Sequence, residues 1–195
     1  MAEFGSARQQ WDSVAVQRIM IVGQPGSGKS MLAQALGTRT GLPVIHIDKI
    51  HWRAGWVERS QAEKTRLCLQ AERGECWIFE GGHSTTWPSR LARAELLVWL
   101  DRGVMLRLWR VLRRAILGLG RTRPDMAEGC PERLRSLPEF VRYIWTTRRS
   151  ERAKIARLAS TAPVTCPVVE LRSDDEVATF IASFPGDEVV APPSS

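Results

Sequence analysis

The sequence predicts an α/β fold, a five-stranded parallel sheet covered by helices on both faces. Three observations carry this. Short apolar, β-rich runs recur along the chain and alternate with longer segments of helical periodicity. The runs are continuously apolar instead of alternating in polarity, as strands buried on both faces must be. The chain has 195 residues, 44% of them hydrophobic, which is enough for one sizeable core and too little for two comfortable domains.

Residues 18–23 form the first such run, ending at glycine, and read as a buried strand. Met31, Leu32, Ala35 and Leu36 then set a helical spacing over 31–39 that ends near Gly37 or Gly41. Residues 43–47 read as the second strand. A helix over about 60–73 has Gly74 just past its end, where a left-handed turn suits glycine. The third strand, 76–79, is closed by Gly81 and Gly82. The fourth, 96–100, leads into a strongly amphipathic helix over about 104–117. A loop punctuated by Gly and Pro covers 118–131, and a long basic helix follows over about 137–159. Residues 168–171 are the fifth strand, and Ser173 with Glu176 opens the last helix as a capping sequence. The sequence thus divides into a leader (1–17) whose first six residues resemble a tag remnant, one domain (18–184), and a tail (185–195) expected to be disordered. There is no internal repeat.

No run of 18 apolar residues occurs, and no basic segment leads into an apolar stretch, so neither a membrane span nor a secretory signal is expected. The four cysteines (Cys68, Cys76, Cys130, Cys166) form no C-x-x-C pair and read as idle thiols in a reducing cytoplasm. Three scattered histidines argue against structural zinc. The net charge of +7 is uneven. Between residues 102 and 157 stand fourteen Arg and one Lys against five acids, a local +10 that leaves −3 for the rest. Such a field suits a polyanion, either nucleotide phosphates or a nucleic-acid backbone.

The segment Gly23-Gln24-Pro25-Gly26-Ser27-Gly28-Lys29-Ser30 matches G-x-x-x-x-G-K-[ST] between a strand and a helix. Its glycines let backbone N–H groups turn inward around phosphate oxygens, and the helix beginning near Met31 presents its positive end to them. In this arrangement Lys29 reaches the β- and γ-phosphates of ATP and the Ser30 hydroxyl binds Mg²⁺. The guanine-reading N/T-K-x-D motif is absent, which counts against a GTPase, and the chain is short for an ATPase motor. The third strand ends Phe79-Glu80-Gly81-Gly82, an acid-plus-glycine edge like that of small-molecule kinases.

From residue 18 to about 184 the chain resembles the adenylate-kinase-like P-loop kinases that carry the label "DNA topology modulation protein". The resemblance rests on residues 23–30, on the block 42–52 with Asp48, His51 and Trp52, and on Gly55-Trp56. It continues in 77–82, in Trp99-Leu100-Asp101, in 121–125 and in 129–133. It implies a P-loop NTPase of nucleoside-monophosphate-kinase-like architecture, with a substrate arm after the second strand and a small lid at about 118–133. It also implies ATP and Mg²⁺ as cofactors and a small-molecule phosphate acceptor as partner. Arg110 is then expected against the adenine, Arg114 toward the phosphates, and Arg121 and Arg123 on a lid that closes over the transferred group. Arg148, Arg149 and Arg152 fall where the second half of that arginine set is expected. Many relatives carry Asp at the position of Glu80, whose carboxylate can hold the Mg²⁺ water shell or accept a proton.

Asp48, His51, Trp52 and Trp56 follow the second strand, at the carboxyl edge where ligands sit in open parallel sheets. Asp48 suits a hydroxyl-bearing acceptor, or a helix N-cap. The two tryptophans suit stacking on a base or sugar, or core filling. Arg90 and Arg93 suit an acceptor phosphate and would favour a nucleotide.

Overall fold

The computed structural model describes residues 16–185. The first fifteen residues of the leader and the tail from 186 lie outside that range, and with them the expected tag remnant and disordered end. Seven strands and seven helices are named here in chain order: β1 (Arg18–Gly23), α1 (Lys29–Thr40), β2 (Val44–His46), α2 (Ile47–His51), β3 (Trp52–Arg53), β4 (Val57–Glu58), α3 (Gln61–Ala71), β5 (Trp77–Glu80), α4 (Trp87–Arg93), β6 (Leu96–Leu100), α5 (Val104–Leu117), α6 (Leu137–Ser160), β7 (Val168–Leu171) and α7 (Asp174–Ser183). Five strands form one sheet in the order β2-β5-β1-β6-β7, with every pair parallel.

The continuously apolar runs follow from this arrangement. Successive side chains of a strand point to opposite faces, and here both faces are covered. Ile19, Ile21, Ile78, Leu96 and Val98 join Leu32, Leu36 and Phe180 of α1 and α7 in one core. Met20, Val22, Trp77, Phe79, Leu97 and Trp99 join Cys68, Leu91, Ile155 and Leu158 of α3, α4 and α6 in the other. All of these residues are buried. The chain passes from β1 to β2 on one side of β1 and from β5 to β6 across it, so strand order reverses at β1 and opens a crevice at the carboxyl edge.

Three local features depart from the sequence reading. The second strand stops at His46, because Ile47 turns into the core and starts the short helix α2. A hairpin, β3 against β4, and the helix α4 have no counterpart in the sequence reading. The segment 118–133 is not an irregular loop. Bridges pair Leu119 with Glu132 and Thr122 with Pro131, and Asp125, Met126 and Cys130 are buried. The four cysteines are free thiols, three of them buried. Among the described residues no helix is long and apolar enough to cross a membrane.

Candidate active site

The loop between β1 and α1 is shaped by what cannot fit there. Gly26 has φ +78°, and a Cβ on it would lie 2.6 Å from the carbonyl oxygen of Arg107 on α5. Only glycine tolerates both conditions. The helix α1 starts at Gly28 with no side-chain cap and no acid in its first turn, so its leading amides keep their donor capacity for an anion. The hydroxyl of Ser27 is buried without a partner among the described residues. Lys29 Nζ leans over the loop and donates to the Gln24 carbonyl at 3.4 Å, while Met31 puts its side chain outward from the first turn of α1. Uncapped amides, an orphan hydroxyl and a lysine across the loop fit a polyphosphate.

Glu80 is the centre of the adjoining floor. Its Oε1 accepts from Ser30 Oγ at 3.0 Å and contacts His46 Nδ1 at 2.8 Å, and the residue is 2% exposed. The parallel register that puts His46 beside Glu80 makes this contact. A buried carboxylate with a serine hydroxyl fits an oxygen-loving cation such as Mg²⁺. Among the described residues no group of three or more His, Cys, Asp or Glu could hold a metal ion. Asp48 stands on α2 in the same crevice. Burial first and the Glu80 charge second push its carboxyl above the usual carboxylate range, while Lys29 and Arg123 pull it back.

On the α5 side, Arg107, Arg110 and Arg114 share one helix face at spacings of three and four. Arg107 is buried and donates to the Pro25 carbonyl, propping the loop. Arg110 donates to the Ser27 carbonyl and is held bidentate by Asp174, beside Gly28. Arg114 lies 3.1 Å from Glu132 Oε1, and Arg123 Nε lies 2.8 Å from the same oxygen. Burial depresses the Arg114 guanidinium, and Arg123 adds to the effect.

Several expectations need correction. Arg123 is not waiting for phosphate: it already holds Asp125 at 2.6 Å as well as Glu132. Arg121, in contrast, makes no side-chain bond among the described residues. The segment 118–133 is also strapped to the segment 53–56, through Gly55 N to Gly129 O, Trp56 Nε1 to Pro131 O and Cys130 Sγ to Arg53 O. Trp56 is therefore a strap, with Trp52 edge-on at 5.3 Å. Arg90 is 0% exposed, its guanidinium 3.6 Å over the Phe79 ring and bonded to Thr86, so it does not reach an acceptor phosphate. Burial lowers it to about 10. Arg93 sits at the opposite edge of the sheet, bonded to the carbonyls of Arg73 and Gly74. Arg152 is spent on Asp101, and Arg148 and Arg149 line a cleft with it that Gln24 of the loop also lines.

His51 remains at the arm. Its Nε2 is buried without a partner, and burial, with help from Lys64 and His83, lowers its pKa to about 4. His83 stands edge-on to it at 5.7 Å. His46, His83 and Arg107 were missed in the sequence. Arg107 had a signal, since it lies one turn before Arg110 on the same face.

The sequence profile of the family described as "ATPase family associated with various cellular activities (AAA)" matches residues 19–79, from β1 to β5. No curated protein matches the chain. Among solved structures, a shikimate kinase from Acinetobacter baumannii in complex with shikimate superposes with TM-score 0.54 at 14% identity, covering 90% of this chain and 93% of that one. A deoxyadenosine kinase from M. mycoides with bound dATP superposes with TM-score 0.50 at 12% identity, covering 85% and 97%. Sheet order, cradle and these likenesses agree: the chain has the P-loop NTPase fold in its kinase-like form, a five-stranded parallel sheet flanked by helices.

Proposed function

We propose that the protein is an ATP- and Mg²⁺-dependent phosphotransferase of the adenylate-kinase-like class, acting on a small molecule, a nucleotide or a hydroxyl compound. The observation that carries this reading is the convergence of Lys29, Asp48, Glu80 and Arg123 on one crevice at the carboxyl edge, with Asp48 subject to the charges of the other three. Phosphoryl transfer is mostly positioning and charge neutralisation, and these groups supply both. The loop amides and Lys29 would hold the β- and γ-phosphates. Ser30 and Glu80 would hold the metal ion, which supplies neutralisation of the charge developing on the transferred group. Arg110 would flank the nucleotide base, while Arg114 and Arg121 would reach the phosphates. Asp48 would accept the hydrogen bond of the acceptor group and orient it, with His51 and Trp52 as walls of that subsite.

In this reading residues 18–184 work as one cytoplasmic domain with a lid at 118–133, related to the proteins labelled "DNA topology modulation protein". Incubation with γ-labelled ATP, Mg²⁺ and a panel of nucleotides, nucleosides and sugars tests it. A labelled acceptor is expected, and ATP consumed without any labelled acceptor would count against it.

A second reading has its own observation. Exposed Trp109 and Trp145 each carry a stacked arginine, Arg113 at 5.5 Å and Arg148 at 4.3 Å, within the basic segment. Aromatic faces interleaved with arginine suit single-stranded nucleic acid. Steep salt dependence of oligonucleotide binding would favour this reading, and salt-independent or absent binding would remove it.

A further inference from the structure

The helix α5 has two dissimilar sides. One carries Arg107 and Arg110, which donate to the carbonyls of Pro25 and Ser27 in the loop at 23–30. On the side opposite Arg107, Met105, Trp109, Leu112 and Ile116 recur at spacings of four, three and four, one continuous stripe of a helix. These four are 69%, 56%, 40% and 65% exposed. Leu117 and Leu119 carry the exposed apolar surface past the helix end. The bridge from Leu119 to Glu132, with Gly120 N donating to the Glu132 carbonyl, brings Leu134 to the same end. Among the described residues, these are seven of the thirteen large hydrophobic side chains that stand exposed. Apolar surface concentrated in this way marks an interaction face.

The surround of the stripe is positive. Between 104 and 145 five arginines are exposed, Arg113, Arg121, Arg133, Arg135 and Arg142, against two exposed carboxylates, Glu128 and Glu139. None of the five has an ion pair among the described residues, and Arg113 lies in the stripe itself, 5.5 Å over the Trp109 ring. Asp125 and Glu132, the other acids of the stretch, are already held by Arg114 and Arg123.

Whatever covers this face must be apolar where it meets the stripe and anionic around it. A second copy fails the second condition, since it would set the same arginines against one another. Nucleic acid fails the first, because Met105, Leu112, Ile116, Leu117 and Leu119 offer no ring to stack on a base. An amphipathic partner helix lays itself into a groove. Here the hollow beside Trp109 is lined by α5 alone, through Trp109, Leu112, Arg113, Ile116 and Leu117, so the stripe is the flank of a ridge. The surface of an anionic bilayer meets both conditions. Its acyl boundary takes aliphatic side chains and tryptophan, and its headgroup phosphates take arginine.

We propose that the outer face of α5, with residues 117–119 and 133–135, docks the protein on an anionic membrane surface. The helix lies in the plane of the interface, with Met105, Trp109, Leu112 and Ile116 below the headgroups and Arg113 and Arg133 among them. The loop at 23–30 is on the other side of α5, so docking leaves it uncovered. Docking of this kind is independent of phosphoryl transfer.

The test sediments the full-length protein with vesicles of phosphatidylcholine, alone or mixed with phosphatidylserine. The wild type binds the mixed vesicles at least about tenfold more tightly than the neutral ones, and the difference shrinks as salt is raised. Trp109→Ser with Ile116→Ser changes two exposed positions and leaves thermal unfolding unaltered. It weakens binding to mixed vesicles at least about tenfold, as expected for two apolar side chains that no longer leave water. Arg113→Glu with Arg133→Glu also weakens binding, while Arg113→Lys with Arg133→Lys keeps it, since headgroups respond to charge. Brominated acyl chains quench the tryptophan fluorescence of the wild type, and Trp109→Phe loses most of that quenching.

Docking is overturned if the mixed vesicles leave the wild type in the supernatant, if the double serine variant binds them as the wild type does, or if Trp109→Phe is quenched as strongly. In the first case the same variants name the true occupant. A dimer that the double serine variant dissociates would make it a second copy. Salt-sensitive oligonucleotide binding that is lost in Arg113→Glu with Arg133→Glu would make it nucleic acid.

Discussion

The loop at 23–30 and the segments 47–58 and 118–133 reach a defined shape by different means. The loop is fixed by backbone: glycines that no other residue can replace, a helix start without a cap, and a carbonyl of α5 pressed against Gly26. The segments 47–58 and 118–133 are fixed by side chains, with Trp56 reaching Pro131 across 75 residues and Arg114 and Arg123 both on Glu132. A backbone-built site tolerates almost no substitution, whereas a strapped one loosens by degrees. The two regions should therefore fail differently.

The cradle should break first and hardest. Gly26→Ala puts a methyl group at a positive φ and 2.6 Å from a backbone oxygen, which neither side can vacate cheaply. Strain of about 1–3 kcal/mol is expected, and with it a loss of about 10- to 100-fold in ATP affinity, measurable by calorimetry. Unchanged affinity would mean that the loop is more pliable than its geometry implies.

The Ser30–Glu80 contact, proposed as the metal subsite, adjoins the same loop. If Ser30 and Glu80 hold Mg²⁺, ATP affinity in the wild type should differ by about tenfold or more between Mg²⁺ and EDTA. In Ser30→Ala with Glu80→Gln the difference should shrink to about twofold. A double variant that keeps the full metal dependence would move the metal elsewhere.

What was legible in the sequence follows the same division. The motif, strands β1, β5, β6 and β7 and the boundaries of α5 and α6 all rest on local signals, either glycine spacing or apolar periodicity. The hairpin β3–β4 and the ordering of 118–133 do not. They depend on Cys130 and Trp56 finding carbonyls more than 70 residues away, and no local pattern encodes that. Arg90 shows the converse error. Its place after the glycine pair suggested an acceptor phosphate, but the helical turn from Thr86 carries it inward onto Phe79. His46 was hidden because its role comes from strand register across β2 and β5, not from its neighbours in sequence.

The strapped half should respond more gently. Trp56→Phe deletes one hydrogen bond from the arm to the lid and keeps most of the apolar contact. Global stability should fall by no more than about 1 kcal/mol. Amide exchange should rise across 118–133 and remain unchanged in β1 and β6. A uniform rise in exchange would show that lid and sheet unfold together.

The smallest effect concerns pH. His51 has a folded pKa lowered from 6.5 to about 4, so between those values the unfolded chain binds more protons than the folded one. Its contribution is fully present above about pH 6.5 and is lost as pH falls toward 4. Because the imidazole is only part-buried, the full shift overstates the energy, and about 1–2 kcal/mol is the expected scale. Urea unfolding at pH 7 and pH 5 should show this loss in the wild type and a smaller one in His51→Gln. Equal losses would assign the pH dependence to other groups.

The account turns on phosphoryl transfer from ATP held by Lys29. The most direct measurement is transfer of label from γ-labelled ATP to the acceptor panel, by the wild type and by Lys29→Ala at matched folded concentration. Lys29 makes one 3.4 Å contact with a loop carbonyl, so its loss should leave the fold intact. The account predicts a labelled acceptor with the wild type and a fall of about 10²- to 10³-fold in the variant, the scale of losing a preorganised charged donor. Equal transfer by both proteins would contradict it.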